Sequence, residues 1–210
     1  MSGDRAIIFR GEGSGESEGS GEPGGSGESS GSGGPGASGP APVRTGPEGS
    51  ATHILTAPDP AAAAALAAEY VDRGATSVEL CGATGYVWTA AVEAAVRGRA
   101  RVRTVMYGFE SLLDVARFKR AAFAGEPLAG LFLYVQPGAD PAEDRFVRVL
   151  GTSTSTYVAV PDPAAGAAVA AEFADSVQLI EVYGEWDAEA VAAVIGAVGE
   201  RVPVGVAVAA

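Results

Sequence analysis

The sequence predicts an α/β fold made of two tandem (βα)4-like repeats with parallel strands. The first observation is that Pro-Asp-Pro at 58–60 recurs at 161–163, and each copy opens an alanine-rich helical stretch. The second is that VELCG at 78–82 recurs as IEVYG at 180–184, at nearly the same spacing. The third is the alternation of short apolar runs with helical patterns, which is typical of a parallel sheet with helical crossovers.

Two architectures fit this duplication. The halves either close into a compact (β/α)8-like barrel or form two open sheets that pack on each other. Each copy then builds half of a shared core or half of a shared site. We expect residues 1–10 to form the first strand of repeat 1, 11–50 an insertion, 51–124 the rest of repeat 1, and 125–210 repeat 2.

Repeat 1 begins with a short apolar strand at 6–9. The segment 11–50 is rich in Gly, Ser, Glu and Pro and carries six acidic residues and one arginine. It has too little apolar surface to offset the entropy of ordering, so we expect a disordered acidic insertion. This insertion is either a tolerated surface loop or an arm that binds a partner.

The rest of repeat 1 alternates strands with helices. Asp59 is a good N-cap with Pro60 at the first helical position, and Gly74 ends that helix. The expected strands are 52–56, 76–81 and 101–107, and the expected helices are 60–73, 86–97 and 109–123. The last helix is the most amphipathic, with Leu112, Leu113, Ala116 and Phe123 on one face.

Repeat 2 follows the same order. We expect strands at 128–135, 156–160, 177–183 and 202–208, and helices at 162–174 and 187–198. Asp140-Pro141 is a helix-start signal, so we also expect a short helix that continues through Phe146 to Leu150. The insertion 11–50 occupies the equivalent place in repeat 1.

Composition excludes several classes of function. The 210-residue chain has a net charge of −12 and a single lysine, so we expect it to bind neither nucleic acid nor an anionic membrane surface. It has no apolar run of about 18 residues and no apolar leader, so we expect a cytoplasmic location. One cysteine excludes a disulfide framework. The expected state is a monomer or a homodimer.

The run ELCGATG at 79–85 resembles the ELCG-x-x-G signature of the DUF6506 proteins, a small and functionally uncharacterised bacterial and archaeal family. The apolar strand 131–134 followed by DPAE at 140–143 resembles the start of those proteins, and VPVG at 202–205 resembles their end. The resemblance implies a tandem duplication of the family unit. It implies no reaction.

Each copy departs from the family pattern in one place. Copy two has EVYG at 181–184 where the family has the cysteine signature, and copy one has RTVM at 103–106 where the family has Pro-Val-Gly. Each copy therefore keeps one signature. A site that needs both would be a composite of the two repeats.

Glu79 and Glu181 are the candidate catalytic residues. Each lies inside an apolar strand at the same place in its copy, where a sheet covered on both faces normally has Val, Ile or Leu. If the two approach each other near a pseudo-twofold axis, one pKa rises and the pair can act as general acid and base. Alternatively, each glutamate points to a sheet edge or pairs with a nearby arginine.

Gly82, Thr84 and Gly85 are candidate ligand-binding residues, because backbone amides between a strand end and a helix start can bind phosphate or carboxylate. Alternatively, Thr84 caps the helix and the glycines only serve a tight turn. Cys81 joins them at the same strand end. The only histidine, His53, is expected at the opposite pole, so we expect neither a Cys–His pair nor a zinc site.

Aromatic residues complete the candidate site. Tyr107, Tyr183, Gly184, Glu185 and Trp186 are expected at the same pole as Glu79, where they line a small-molecule pocket or simply plug the core. Four arginines are expected at the opposite pole in solvated ion pairs: Arg97, Arg99, Arg101 and Arg103.

The sequence leaves three functions open. The first is binding of a small polar metabolite at the C-terminal ends of the strands. The second is a lyase or isomerase that uses Glu79 and Glu181 as an acid–base pair. The third is a protein-interaction module whose acidic loop contacts a partner. The turn at 82–85 carries no Gly-x-Gly-x-x-Gly motif and the chain has no Walker lysine, so no nucleotide, no other cofactor and no metal is expected.

Overall fold

The computed structural model describes residues 3–11, 44–45 and 50–209. Most of the insertion expected at 11–50 lies outside these residues. The described part of repeat 1 comprises β1 (Asp4–Arg10), β2 (Arg44–Thr45), β3 (Ala51–Ala57), α1 (Pro60–Asp72), β4 (Ala75–Leu80), α2 (Gly85–Val96), β5 (Arg101–Tyr107), a 3-10 turn (Phe109–Ser111) and α3 (Leu112–Phe123).

The helix signals of repeat 1 act as predicted. The Asp59 side chain caps α1 by accepting a hydrogen bond from the Ala62 amide at 2.8 Å, and Pro60 occupies the first turn. The amphipathic helix α3 forms, but the sheet does not bury its apolar face. Leu113 is 64% exposed and Phe123 is 82% exposed. An amphipathic pattern therefore predicted the helix correctly without predicting what covers it.

Repeat 2 comprises β6 (Leu128–Val135), β7 (Arg145–Leu150), β8 (Ser153–Val160), α4 (Pro163–Phe173), β9 (Leu179–Tyr183), α5 (Ala188–Val198) and β10 (Val204–Ala209). The helix predicted from Asp140 through Phe146 to Leu150 is wrong. Asp140 opens a turn, in which its carboxylate accepts a bond from the Ala142 amide, and the chain continues as β7. The Phe146 ring stacks on Tyr157 of β8 at 4.8 Å, which fixes the antiparallel β7–β8 pair.

The described strands form a single sheet in the order β2-β3-β1-β4-β5-β10-β9-β6-β8-β7. Within each repeat the four main strands are parallel, which confirms the duplicated parallel α/β arrangement. The repeats are joined by the antiparallel pair β5–β10. The described sheet ends at β2 and β7, so it is not a closed (β/α)8 barrel. The two open half-sheets are instead fused into one curled sheet.

The core lies in three layers. On the outer faces, α1 and α2 cover the sheet of repeat 1, and α4 and α5 cover that of repeat 2. The third cluster contains apolar side chains of strands and strand ends from both repeats. At its centre Phe9 lies edge-on to Phe132 and Tyr157, with ring centroids 5.0 and 5.1 Å away. The inner faces of the two half-sheets therefore pack on each other.

The antiparallel junction changes which strand ends are neighbours. The amino end of β5 lies beside the carboxyl end of β9, where Arg103 donates a hydrogen bond to the Gly184 carbonyl at 2.6 Å. Arg101 and Arg103 both pair with Glu185. The prediction that these two arginines lie at the pole opposite Glu185 is therefore wrong, because it assumed that all strands of both repeats run in one direction.

Candidate ligand-binding site

The glutamates and glycines of the two repeats exchange hydrogen bonds. Glu79 accepts a bond from the Gly184 amide at 2.8 Å, and Glu181 accepts one from the Gly82 amide at 3.1 Å. Each carboxylate thus binds the glycine that ends the matching strand of the other repeat. Glu79 is 1% exposed and Glu181 is 2% exposed, so neither points to an open sheet edge. Among the described residues no hydrogen bond joins one carboxylate to the other.

Glu79 has a cationic partner. The Arg5 Nε lies 3.6 Å from Glu79 Oε1, and the Arg5 side chain is 18% exposed. The same guanidinium donates a hydrogen bond to the Val135 carbonyl at 3.2 Å. The Ser77 hydroxyl lies 3.5 Å from the same carboxylate oxygen. The sequence analysis gave pairing with a nearby arginine as the alternative to a catalytic role. Glu79 makes such a pair with Arg5.

Glu181 has hydroxyl partners. Tyr107 donates to Glu181 Oε1 at 2.6 Å, and Tyr183 donates to Oε2. Burial raises the pKa of Glu181, while the bonds from Tyr107, Tyr183 and the Gly82 amide oppose that rise. Burial and the neighbouring Glu181 charge also raise the pKa values of both tyrosines. Glu181 is therefore the acid of this site that is easier to protonate than an ordinary glutamate.

Cys81 and Thr84 have structural contacts. Burial, followed by the Glu181 charge, raises the pKa of the Cys81 thiol to about 12, so the reactive thiolate is disfavoured. The Thr84 hydroxyl donates to the Cys81 carbonyl at 2.7 Å and makes no side-chain bond to the first amides of α2. The alternative in which Thr84 caps α2 through its side chain is therefore wrong.

A cavity of about 270 Å³ lies beside these residues, on the outer face of β5. Gly82 and Gly85 line it at the start of α2, and Tyr107 lines it at the end of β5. Gly82 also separates the cavity from Glu181. A Cβ atom at position 82 would lie 2.8 Å from Glu181 Oε1 and 2.8 Å from the Tyr107 ring, so only glycine fits there.

The sequence analysis missed five residues of this cavity. They are Tyr86, Thr104, Val105, Met106 and Leu112, and the last of these comes from α3. Thr104 is the most informative, because it is 3% exposed and its hydroxyl has no hydrogen-bond partner among the described residues. The signal in the sequence was a hydroxyl residue between Val102 and Met106, its apolar neighbours on the same face of the strand.

The carboxyl end of β9 is arranged differently. The Trp186 indole donates to the Tyr183 carbonyl at 2.9 Å, which matches the bond from Thr84 to Cys81 in repeat 1. Its ring lies against Gly166 of α4, where a Cβ atom would be 2.3 Å from the indole. Glu185 is held by arginines of β5. The predicted site residues are thus divided between the two ends of the joined sheet.

The comparisons with known proteins agree with a duplication. The model of a family of unknown function, DUF6506, matches twice, at residues 41–120 and 128–210. A comparison with curated proteins yields no match. The crystal structure of a carbohydrate transporter from Acidothermus cellulolyticus 11B, in complex with myo-inositol, is similar with 13% identity and a TM-score of 0.25. The match covers 76% of this chain and 63% of the length of that one.

None of the described helices is both long and apolar enough to cross a membrane.

Proposed function

Because the chain belongs to the DUF6506 family, a family of unknown function, we propose its function from the site alone: it binds a small molecule in the cavity beside Gly82. The carboxyl ends of β4 and β5 form the rim of this cavity, which is where parallel α/β sheets bind ligands. Of the residues predicted from the sequence, Gly82, Gly85 and Tyr107 line it.

The observation that carries the proposal is the cavity itself, about 270 Å³ beside the start of α2 and the end of β5. Two of its lining residues, Gly82 and Tyr107, are fixed by Glu181, which accepts a hydrogen bond from each. A preformed cavity at the carboxyl ends of parallel strands is typical of ligand sites in α/β proteins.

A fragment screen followed by amide NMR tests the proposal. We expect hits to shift the amide signals of Gly82, Gly85 and Thr104, with much smaller shifts at Gly184. Met106→Trp fills the cavity and should abolish those shifts, whereas Val149→Trp, at an exposed position on β7, should leave them unchanged. The proposal is wrong if no fragment shifts these amides, or if the shifts survive in the Met106→Trp protein.

The second candidate function is acid–base catalysis by a lyase or isomerase. It is favoured by the raised pKa of Glu181 and by Tyr107, which both bonds to Glu181 and lines the cavity. Glu79, the other member of the predicted pair, is held by Arg5. Incubation with 2-oxo acids in D2O tests this role: deuterium uptake above the buffer rate, lost in Glu181→Gln, would support catalysis.

The third function, partner binding through the acidic insertion, concerns residues mostly outside the described part of the chain. It remains a prediction that deletion of the segment 12–43 and measurement of partner capture would check.

A further inference from the structure

We infer that α3 is a homodimer interface: it packs antiparallel against α3 of a second copy of the chain, with Ala116 of each copy at the twofold axis. This inference goes beyond the proposed function, because it concerns a surface and not the ligand. It depends on four features of the helix: its uncovered apolar face, the area of that face, the order of its aromatic rings and the order of its charges.

The outer face of α3 is apolar and uncovered by the described part of the chain. No residue of α3 is buried. Phe109, in the turn that leads into the helix, is 91% exposed, and Leu113 and Phe123 follow it at helical spacing and are also exposed. On the other side of the helix Val115 and Phe118 are half-buried. A helix that is apolar on both sides is typical of one that is covered on both sides.

The area of this face approaches that of one side of a dimer interface. Tyr86 and Leu112 line one cavity, so the exposed Tyr86 ring of α2 extends the apolar face of α3. At about 200 Å² for an aromatic side chain, the exposed fractions of Phe109, Phe123 and Tyr86 leave about 500 Å². Leu112 and Leu113 are at least half exposed and add to it. Soluble monomers rarely expose an apolar patch of more than a few hundred Å², whereas a standard interface buries about 800 Å² per partner.

The aromatic rings are placed symmetrically on this face. Phe109 and Phe123 lie equally far from Ala116 along the chain. In an antiparallel pair of helices with Ala116 at the twofold axis, Phe109 of each copy therefore meets the partner's Phe123. Ala116 is small and exposed, so the helix axes can approach to about 8–10 Å there. A surface that matches itself in this way is what a twofold interface requires.

The charges favour the same arrangement. The acidic residues of this segment, Glu110 and Asp114, precede its basic residues, Arg117, Lys119 and Arg120. Asp114 and Arg117 pair within the helix at 2.6 Å, whereas the other three make no ion pair with any described residue. Antiparallel packing brings the acidic end of one helix to the basic end of the partner's helix, and parallel packing would bring like charges together. The order of the charges therefore fits a second copy of the chain.

Light scattering after size-exclusion chromatography tests the interface. At high micromolar concentration we expect the wild-type protein to have twice the chain mass of 20.9 kDa. Leu113→Glu/Phe123→Glu places two carboxylates in the apolar face and should give the mass of one chain at the same concentration. The control Val149→Glu changes a similarly exposed apolar residue on β7 and should leave the protein dimeric.

Disulfide cross-linking tests the antiparallel arrangement. In a twofold dimer only a residue at the axis meets its own copy, so Ala116→Cys should link two chains on oxidation. The control Ala122→Cys changes an exposed residue of the same helix that lies away from the axis, and it should cross-link at least tenfold more slowly. The native Cys81 is buried and should not contribute.

Three outcomes would overturn the inference. A wild-type protein that is monomeric at high micromolar concentration would show that a second copy does not cover this face. A Leu113→Glu/Phe123→Glu protein that stays dimeric would place the interface elsewhere. Cross-linking of Ala122→Cys as fast as that of Ala116→Cys would exclude the antiparallel arrangement. If the double variant loses its far-UV circular dichroism, the wild-type mass and the cross-linking rates decide. Failure of ligand binding in the cavity changes none of these results.

Discussion

Glu79 and Glu181 occupy the same position of the same strand in two copies of one unit, yet different chemistry stabilises them. Each keeps its bond to a glycine amide of the other repeat. Glu79 adds an arginine, and Glu181 adds two tyrosine hydroxyls. The backbone bond belongs to the fold and is preserved, whereas the side-chain partners have diverged.

The residues that surround the two carboxylates also differ. Beside Glu181 lie the Gly82 turn, an α2 start without a side-chain cap, and the cavity with Thr104. Beside Glu79 lie Gly184 and the ion pairs of Glu185 with β5. One end of the joined sheet is closed by salt bridges, and the other carries the cavity in which we propose that a small molecule binds. On this proposal, the duplication separates a structural copy of the site from a binding copy.

The largest expected effect is the removal of the cation from Glu79. Arg5→Met leaves a buried carboxylate without its ion pair, and breaking such pairs typically costs about 3–5 kcal/mol. Urea unfolding at pH 7 measures the loss in the free energy of unfolding. The double variant Arg5→Met/Glu79→Gln should recover part of it. A loss below about 1 kcal/mol in the single variant would show that Arg5 is not what stabilises Glu79.

The matching change for Glu181 is Tyr107→Phe, which removes a donor that repeat 1 supplies. It keeps the ring that lies against Gly205 and removes the hydroxyl that donates to Glu181. Leaving a buried hydrogen-bonding group without its partner costs about 1–3 kcal/mol, so we expect a loss in that range in urea unfolding at pH 7. The control Tyr86→Phe changes a tyrosine that is 70% exposed and should cost less than about 0.5 kcal/mol. Equal losses in the two variants would contradict the assigned bond.

The pH dependence of stability should report on the raised pKa of Glu181. Burial raises the pKa of Glu181, so the folded state holds this proton more tightly than the unfolded chain. Protonation of Glu181 therefore stabilises the folded state. This stabilisation is fully present below the pKa of a glutamate in the unfolded chain, about 4.3. It is lost as the pH rises through the pKa of Glu181 in the folded protein. The expected slope is about 1.4 kcal/mol per pH unit within that window.

Urea unfolding of Glu181→Gln across this pH range provides the comparison. Glutamine cannot release the proton, so the slope assigned to Glu181 should disappear in this variant. Glu185→Gln changes a carboxylate whose side chain is 69% exposed and should keep the slope. Parallel curves for the wild-type and Glu181→Gln proteins would mean that the pKa of Glu181 is not raised.

The smallest expected effect is a gain in stability. Thr104→Val replaces an unpartnered buried hydroxyl with a methyl group of similar shape, so we expect the protein without ligand to be about 1 kcal/mol more stable. A thermal melt measures this as a rise in Tm of a few degrees. A fall in Tm would show that the hydroxyl already has a stabilising partner in the free protein.

The sequence predicted what depends on local pattern. The repeat, the aspartate caps, and the alternation of strands and helices all follow from residue spacing and polarity. The family membership followed from short motifs and is confirmed by the two matches. The turn at Asp140 was misread because Asp-Pro is also a turn signal, while the alternation in β7, with Val147 and Val149 exposed and Phe146 packed inward, had a period of two.

What the sequence could not predict depends on contacts between distant residues. The β5–β10 pair joins strands about one repeat apart, and two edge strands of similar composition can pair in either direction. That direction decides that Glu79 meets Gly184 and that Arg103 meets Glu185. The cavity likewise requires α3 to lie near the end of β5, so that Leu112 and Met106 line the same space.

A crystal structure of the protein soaked with the fragments that shift the Gly82 and Gly85 amides tests the central claim most directly. The account predicts one fragment per chain, bound in the cavity beside Gly82 and in contact with Met106 and Leu112. Fragments bound only beside Gly184, or a cavity that holds only water under saturating fragment, would contradict it.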